Sequence, residues 1–197
     1  MAVIGRPRAF DRDAALEAAT LLFWRKGFAA ASMTELCEAM GIRSPSLYAA
    51  FGSKEALYLE AVNRYVEGVG EQVWGRLAEG ATARIGVERL LAASTQTLPQ
   101  SLETPAGCMV QLGAVADEWP LAAADIVKRV RQESLGRLMA RLEAAVADGE
   151  LAPATDIGSL GRFYLGVIQG MAIQAKDGAT AAELQGMATV AMAAWPG

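Results

Sequence analysis

Apolar residues recur along this chain mainly at helical spacing, and short polar or glycine-rich breaks set the segments apart. Leu16, Ala19, Leu22 and Phe23 share one face of a segment that Asp11 opens as a cap. Arg25 and Lys26 fill its last turn and Gly27 stops it. Met33, Leu36, Cys37 and Met40 then repeat at i, i+3, i+4, i+7. The "SMTE" in front of them gives Ser32 and Glu35 the spacing of a capping box, and Gly41 closes the helix. A third, very short helix is predicted to begin at Ser44, with Pro45 at its first helical position. It ends at Phe51, before Gly52. Ser53 caps a long fourth helix, "KEALYLEAVNRYVEGVGEQVWGRLAEG". Further helices are expected over about 84–98, 107–117, 122–148, 156–176 and 180–194, with Pro99, Pro105, Pro120 and Pro153 between them. Ala and Leu are abundant and β-branched residues sparse, so the fold class is all-α.

Composition narrows what such a chain does. With 197 residues, 53% apolar and 20% charged, it is long and apolar enough to bury a core. There is no histidine and there are two cysteines, which excludes a Cys/His zinc site, a histidine-based triad and a disulfide scaffold. Cys37 lies on the core stripe of its helix. Cys108, in "GCMVQLGA", is either a buried thiol or a sensor. Glu17, Glu118 and Glu143 stand at no catalytic or metal spacing, and no phosphate-binding loop is present. No enzyme activity, metal or cofactor is therefore expected. The N-terminal "MAVIGRPRAFDRD" lacks the apolar stretch of a signal peptide. The best membrane candidate, 157–175, carries Arg162, Gln169, Gln174 and several glycines and reads as a buried helix. A cytoplasmic protein without a membrane partner is expected.

The second and third helices, joined by a few residues around Gly41, form a helix-turn-helix pattern. Leu47 and Phe51 point together into a small core, so Pro45, Ser46, Ala49 and part of Tyr48 face outward. That small, lightly charged face suits close approach to a surface such as the DNA major groove, which admits one helix. Net charge is −4, but unevenly spread: residues 1–64 hold 8 Lys/Arg against 7 Asp/Glu, and the remainder carries the excess acid.

Residues 6–66 resemble the DNA-binding domain of the TetR family of bacterial transcriptional regulators. The matching run is "TELCEAMGIRSPSLYAAFGSKEALYLEAV", with Gly41, Ser46-Leu47-Tyr48, Phe51 and Ser53-Lys54-Glu55. The resemblance implies a helix-turn-helix domain at 6–66 and a helical effector-binding and dimerisation domain at 67–197. It implies a dimeric repressor on a palindromic operator in double-stranded DNA, released by a small-molecule effector. Lys54, in the first turn of the fourth helix, is a poor place for a cation unless a phosphate joins it; otherwise it is a solvated lysine. Tyr48 reaches a phosphate or edges the core. Thr34 and Ser44 meet phosphate or bases, unless Ser44 only caps. Arg43 contacts a base or phosphate, and Pro45, Ala49 and Ala50 are available to thymine methyls. Arg6 and Arg8 enter an A·T-rich minor groove or remain a solvated tail.

Two helices are expected to build the homodimer interface: Leu135, Leu138, Leu142 and Val146 on 122–148, and Phe163, Tyr164, Val167 and Gly170 on 156–176. Candidate effector contacts, or plain core, are Tyr65, Val69, Val73, Trp74, Leu91, Met109, Leu112, Trp119 and Met139. The competing reading is a helical interaction or ligand-binding protein that does not act on DNA, to which the acidic net charge lends weight.

Overall fold

The computed structural model describes residues 10–112 and 121–196, the side chains of 121–123 excepted. The expectations placed on Arg6, Arg8, Glu118 and Trp119, and on the second half of the helix at 107–117, lie outside the described residues. Every regular element among the described residues is helical. Four helices make the N-terminal unit: α1 (Arg12–Ala30), α2 (Met33–Ala39), α3 (Ser44–Phe51) and α4 (Lys54–Tyr65). Asp11 accepts from the N–H groups of Asp13 and Ala14 and so starts α1. Gly27, at φ 80° and ψ 173°, breaks the regular helix where the sequence places a stop. Ser32 and Glu35 form both halves of the capping box of α2. Ser53 accepts from the Ala56 N–H and starts α4.

The start of α3 is one residue earlier than expected. The N–H groups of Ser46 and Leu47 both donate to the Arg43 carbonyl, so Arg43 is the N-cap, Ser44 is the first helical residue and Pro45 the second. Ser44 is therefore not the N-cap, and the Arg43 side chain makes no cap bond of its own. Leu36, Leu47 and Leu57 are fully buried. They pack beside Phe23, Phe28 and Tyr58, whose rings meet edge-to-face at 5.1 and 5.2 Å.

The expected long fourth helix is a rod of changing pitch. After α4, a π-helical turn (Val66–Gly70) leads to α5 (Glu71–Trp74) and then to a 3-10 turn (Gly75–Ala78). Gly68, Gly70 and Gly75 fall in this stretch, where weak helix propensity makes departures from α geometry cheap. The body then adds α6 (Ala83–Thr97), α7 (Met109–Leu112), α8 (Leu121–Ala147), α9 (Ile157–Lys176) and α10 (Ala181–Ala193). Glu150, beyond α8, accepts from the Ala83 and Arg84 N–H groups at 2.6 and 2.8 Å and so clamps the start of α6.

α8 crosses α9 at Gly161, where an added Cβ would lie 3.3 Å from Met139 Cγ and 3.6 Å from Leu135 Cδ1. Leu138, Leu142 and Tyr164 are sealed in this protomer core, and the Tyr164 hydroxyl donates to the Ala191 carbonyl. They were expected at a dimer interface; the α8–α9 contact within one protomer uses them instead.

A buried seam ties the N-terminal unit to the body. Trp24 Nε1 donates to the Gly107 carbonyl at 3.1 Å, and the Trp24 ring meets Tyr65 edge-on at 4.8 Å. Met109, Val110, Ile126 and Val127 belong to the same hydrophobic cluster as the α1–α4 core. Among the described residues, no helix is long and apolar enough to cross a membrane.

Gly107 sits at φ +81°, and a Cβ there would lie 2.6 Å from Leu112 Cδ1 and 3.0 Å from the Ala172 carbonyl oxygen. Gly107→Ala is expected to lower Tm by about 2–8 °C, since a left-handed alanine costs roughly 1–2 kcal/mol before the clash is counted. Gly136→Ala, on an exposed turn of α8 with nothing within 4 Å, is expected to hold or raise Tm. Differential scanning calorimetry of the two variants separates backbone requirement from mere glycine content.

Candidate nucleic-acid interface

Helix α3 presents a small outward face. Arg43, Ser44, Pro45 and Ala49 are exposed, Ser46 is half-buried, and Tyr48 is 50% exposed. Thr34 is exposed on α2 and borders the same shallow groove as Arg43 and Ser44. Among the described residues no ion pair holds Arg43, so its guanidinium is available at the entry to α3.

Lys54 is less free than a surface lysine. Its Nζ lies 4.5 Å above the Phe28 ring and 3.5 Å from the Ala29 carbonyl, at the outer limit of a hydrogen bond. Desolvation lowers its pKa, and the neighbouring Glu55 partly offsets that. The ammonium stands at the junction of α1 and α4, beside the N-terminus of α4.

Arg12, which the sequence reading left out, positions α3. Its Nη2 donates to both carboxylate oxygens of Glu60 at 2.9 and 2.8 Å and to the Ala50 carbonyl at 3.2 Å. Its guanidinium also covers the Phe51 ring at 4.3 Å. One side chain of α1 thus holds the last turn of α3 against α4. The partners lie 38 and 48 residues away, so no local pattern betrays them. Lys26 pairs with Glu35 across α1 and α2.

Above this unit lies a partly open cavity of about 100 Å³. Tyr65, Val66, Val69, Gly70, Val73 and Trp74 of the rod form one wall. Leu98, Cys108, Val110, Val130 and Ile168 form the others, with the polar groups of Ser94, Gln111 and Ser134 between them. Four expected contacts, Tyr65, Val69, Val73 and Trp74, meet there. The other four described ones do not. Leu91 packs in the α6–α10 seam; Met109 and Leu112 sit against Phe23, Trp24 and Tyr58; Met139 is pressed to Gly161. Those side chains are spent on joining helices. Cys108 is half-buried beside Tyr65, and desolvation pushes both its thiol and the Tyr65 phenol up. That shift disfavours the thiolate at neutral pH.

Of the expected dimer residues, Leu135 and Val167 are partly buried in the protomer core and Gly170 faces Met187 of α10. Phe163 is 43% exposed. Ile173 on the same helix and Val190 on α10 are also exposed apolar side chains.

A short helix held on a small helical unit, with an open cation at its tip, under a helical body with a cavity, is the architecture of a helix-turn-helix regulator. The profile of the "Bacterial regulatory proteins, tetR family" matches residues 15–61. The HTH-type transcriptional repressor ComR of Escherichia coli (strain K12) is 33% identical over 197 residues, covering 98% of this chain and 92% of ComR. The repressor BdcR of the same strain is 52% identical over 64 residues, 32% of each chain. A cysteine-substituted TetR family regulator CifR, solved with 26-base-pair operator DNA, superposes with a TM-score of 0.91 at 42% identity, covering 98% of this chain and all of that one. The chain belongs to the tetR family and is a DNA-binding transcriptional regulator, which decides against the reading without DNA.

Two outcomes follow from this geometry. Arg12→Met keeps an apolar stem near Phe51 but removes the bonds to Ala50 and Glu60. Operator affinity is expected to fall about tenfold, equal to ~1.4 kcal/mol, in fluorescence anisotropy. Lys26, followed by Ser32, holds the exposed Glu35 carboxyl down to about 2. A depressed carboxylate stabilises the fold above its ordinary range and loses that contribution as pH falls toward 2. Glu35→Gln should therefore flatten the decline of Tm between about pH 4.5 and pH 2, as followed by circular dichroism.

Proposed function

We propose that the chain is a dimeric repressor that sets two copies of α3 into successive major grooves of a palindromic operator and lets go when a small molecule fills the cavity. Residues 6–66 act as the reading unit and 67–197 as the sensing and dimerising unit. The observation that carries this is the rod. The helix that starts beneath α3 at Lys54 runs on to become one wall of the cavity, through the π turn. Occupying the cavity acts on Val66, Val69 and Gly70, where the rod departs from α geometry. A ligand that favours one pitch of this turn favours one placement of α1–α4 beneath it. The operator-bound CifR supports this use of the fold.

Reading a palindrome takes two copies with their recognition helices ~34 Å apart. The exposed apolar side chains of Phe163 and Ile173 on α9, with Val190 on α10, are the surface offered to a second copy. Gly166 and Gly170 allow close approach there. The interface thus moves from the expected α8–α9 pair to α9 and α10. At the operator, Arg43 and Tyr48 reach toward base or phosphate from α3, Thr34 from α2, and Lys54 joins a phosphate at the start of α4. Ser44, Pro45 and Ser46 line the approach.

The test is anisotropy titration of a labelled duplex from the gene's own upstream region against a scrambled duplex at several salt concentrations. Tight, salt-sensitive binding to the first alone is expected, with Tyr48→Ala and Lys54→Ala each weakening it about five- to thirtyfold. Phe163→Glu is expected to give a monomer in sedimentation and to abolish tight binding. A dimer that persists in Phe163→Glu overturns the α9–α10 interface, and equal affinity for both duplexes overturns an operator in that upstream region.

A further inference from the structure

The polar groups that line the cavity are committed elsewhere, with one exception. Ser94 Oγ donates to the Leu90 carbonyl, Ser134 Oγ to the Val130 carbonyl and Thr97 Oγ1, at the edge, to the Ala93 carbonyl, each at 2.9 Å. The Tyr65 O–H donates to the Cys108 sulfur, and its oxygen accepts from the Met109 N–H. Gln111 differs. It lines the cavity at 8% exposure, and among the described residues no hydrogen bond holds either end of its amide. Its Oε1 is sealed from solvent, so the open end of the amide is the NH2 group. The reverse setting would seal two N–H donors in place of one carbonyl oxygen, and buried N–H groups are orphaned more rarely than carbonyls. What the wall offers a guest is therefore a hydrogen-bond donor.

Among the described residues the mouth carries no free charge. Arg137 donates to both carboxylate oxygens of Glu71 at 2.8 and 3.1 Å, and Glu133 pairs with Arg129 at 3.7 Å. A carboxylate that entered would meet no unpaired cation, and burying a charge without a partner is costly. Size sets the scale of the guest. Benzene, with six heavy atoms, fills an engineered protein cavity of about 150 Å³. In the same proportion the space of about 100 Å³ here takes about four heavy atoms.

We propose that the cavity binds a small neutral ketone whose carbonyl oxygen accepts a hydrogen bond from the Gln111 amide N–H, with its alkyl arms against Val69, Val110, Val130 and Ile168. An acceptor with no proton of its own suits this wall. An alcohol also accepts from Gln111, but it brings a proton for which the Ser94 and Ser134 oxygens, on side chains 1% and 6% exposed, present almost no open face. A buried donor left unpaired is costly, and a hydrocarbon leaves the Gln111 N–H as it was. A ketone so placed spans from α7, which carries Gln111, to the π turn of the rod, which carries Val69. This rests on the reading of the cavity as the effector site, and it adds the chemistry that the site selects.

Probes of matching size test it on the full-length protein: acetone, isobutene, propan-2-ol and acetate. Guests this small bind in about the millimolar range, which suits titration followed in ¹H–¹⁵N spectra without DNA. The Gln111 side-chain NH2 pair reads the bond itself in the unaltered protein, and anisotropy of the operator complex reads release. Acetone is expected to bind about 2- to 10-fold more tightly than isobutene or propan-2-ol, the range of one neutral hydrogen bond, and to move the Gln111 NH2 resonances. Acetate should not bind. Gln111→Met, apolar and of similar size, should bring acetone and isobutene to equal affinity. The proposal is overturned if isobutene, propan-2-ol or acetate binds best, or if no probe binds. It is equally overturned if acetone leaves the Gln111 NH2 resonances in place, or if Gln111→Met keeps the preference. Selective binding of acetone that leaves the operator complex undisturbed supports the ligand class and overturns the cavity as the site of release. Release by isobutene as readily as by acetone does the reverse.

Discussion

The arrangement depends on one buried contact, the indole N–H of Trp24 on the Gly107 carbonyl with the Tyr65 ring set edge-to-face with the indole. Trp24 belongs to α1, Gly107 to the segment before α7, and Tyr65 to the last turn of α4. Three stretches far apart in sequence are thus fixed at one point. A buried carbonyl and a buried indole N–H each need a partner, and here each is the other's. That requirement sets the angle at which the small unit sits under the body. The Lys176 ammonium reaching the Arg25 carbonyl adds a second tie from the end of α9 to the end of α1. With α1 pinned at its C-terminal end, Arg12 near its other end controls α3 through Ala50 and Glu60. Placement of the reading helix is therefore a property of α1 as a rigid lever.

Electrostatics of the small unit follow the same economy. Its cations are mostly used internally: Arg12 on Glu60, Lys26 on Glu35, and Arg64 on Asp13 and Glu17. These pairs are exposed or half-exposed and contribute little each to stability. Their effect is to fix orientation while leaving the surface near neutral, in keeping with a chain of net charge −4. Attraction to a phosphate backbone then rests on few groups, with Arg43 and Lys54 foremost. Such a protein relies on fit and backbone placement more than on bulk charge.

Local signals in the sequence were legible wherever a helix end is a self-contained event. Asp11, Ser32 with Glu35, and Ser53 act through bonds spanning two or three residues, and each cap stands where its pattern put it. Gly27, Gly41 and Gly52 adopt the positive φ that their positions as stops call for. The start of α3 slipped by one residue because a proline fits either of the first two helical positions, and only the bonds to the Arg43 carbonyl choose. Burial of Leu138, Leu142 and Tyr164 was foreseen, but not what buries them. An apolar stripe has the same period whether it faces a neighbouring helix or a second copy. The polar lining of the cavity was hidden for a related reason. Ser94, Gln111 and Ser134 come from α6, α7 and α8, and no spacing along the chain joins them.

The π turn of the rod has a consequence for how this chain can vary. A π turn closes its bond one residue later than an α turn, so Val66–Gly70 amounts to a single-residue insertion absorbed inside a continuous helix. Loss of one residue there would restore ordinary α geometry while the helix on either side kept its packing face. The same loss inside α4 or α6 would turn every following side chain by about 100° away from its neighbours. Between the DNA-reading unit and the sensing body, the polypeptide thus holds a point where chain length can change by one without the two halves losing register.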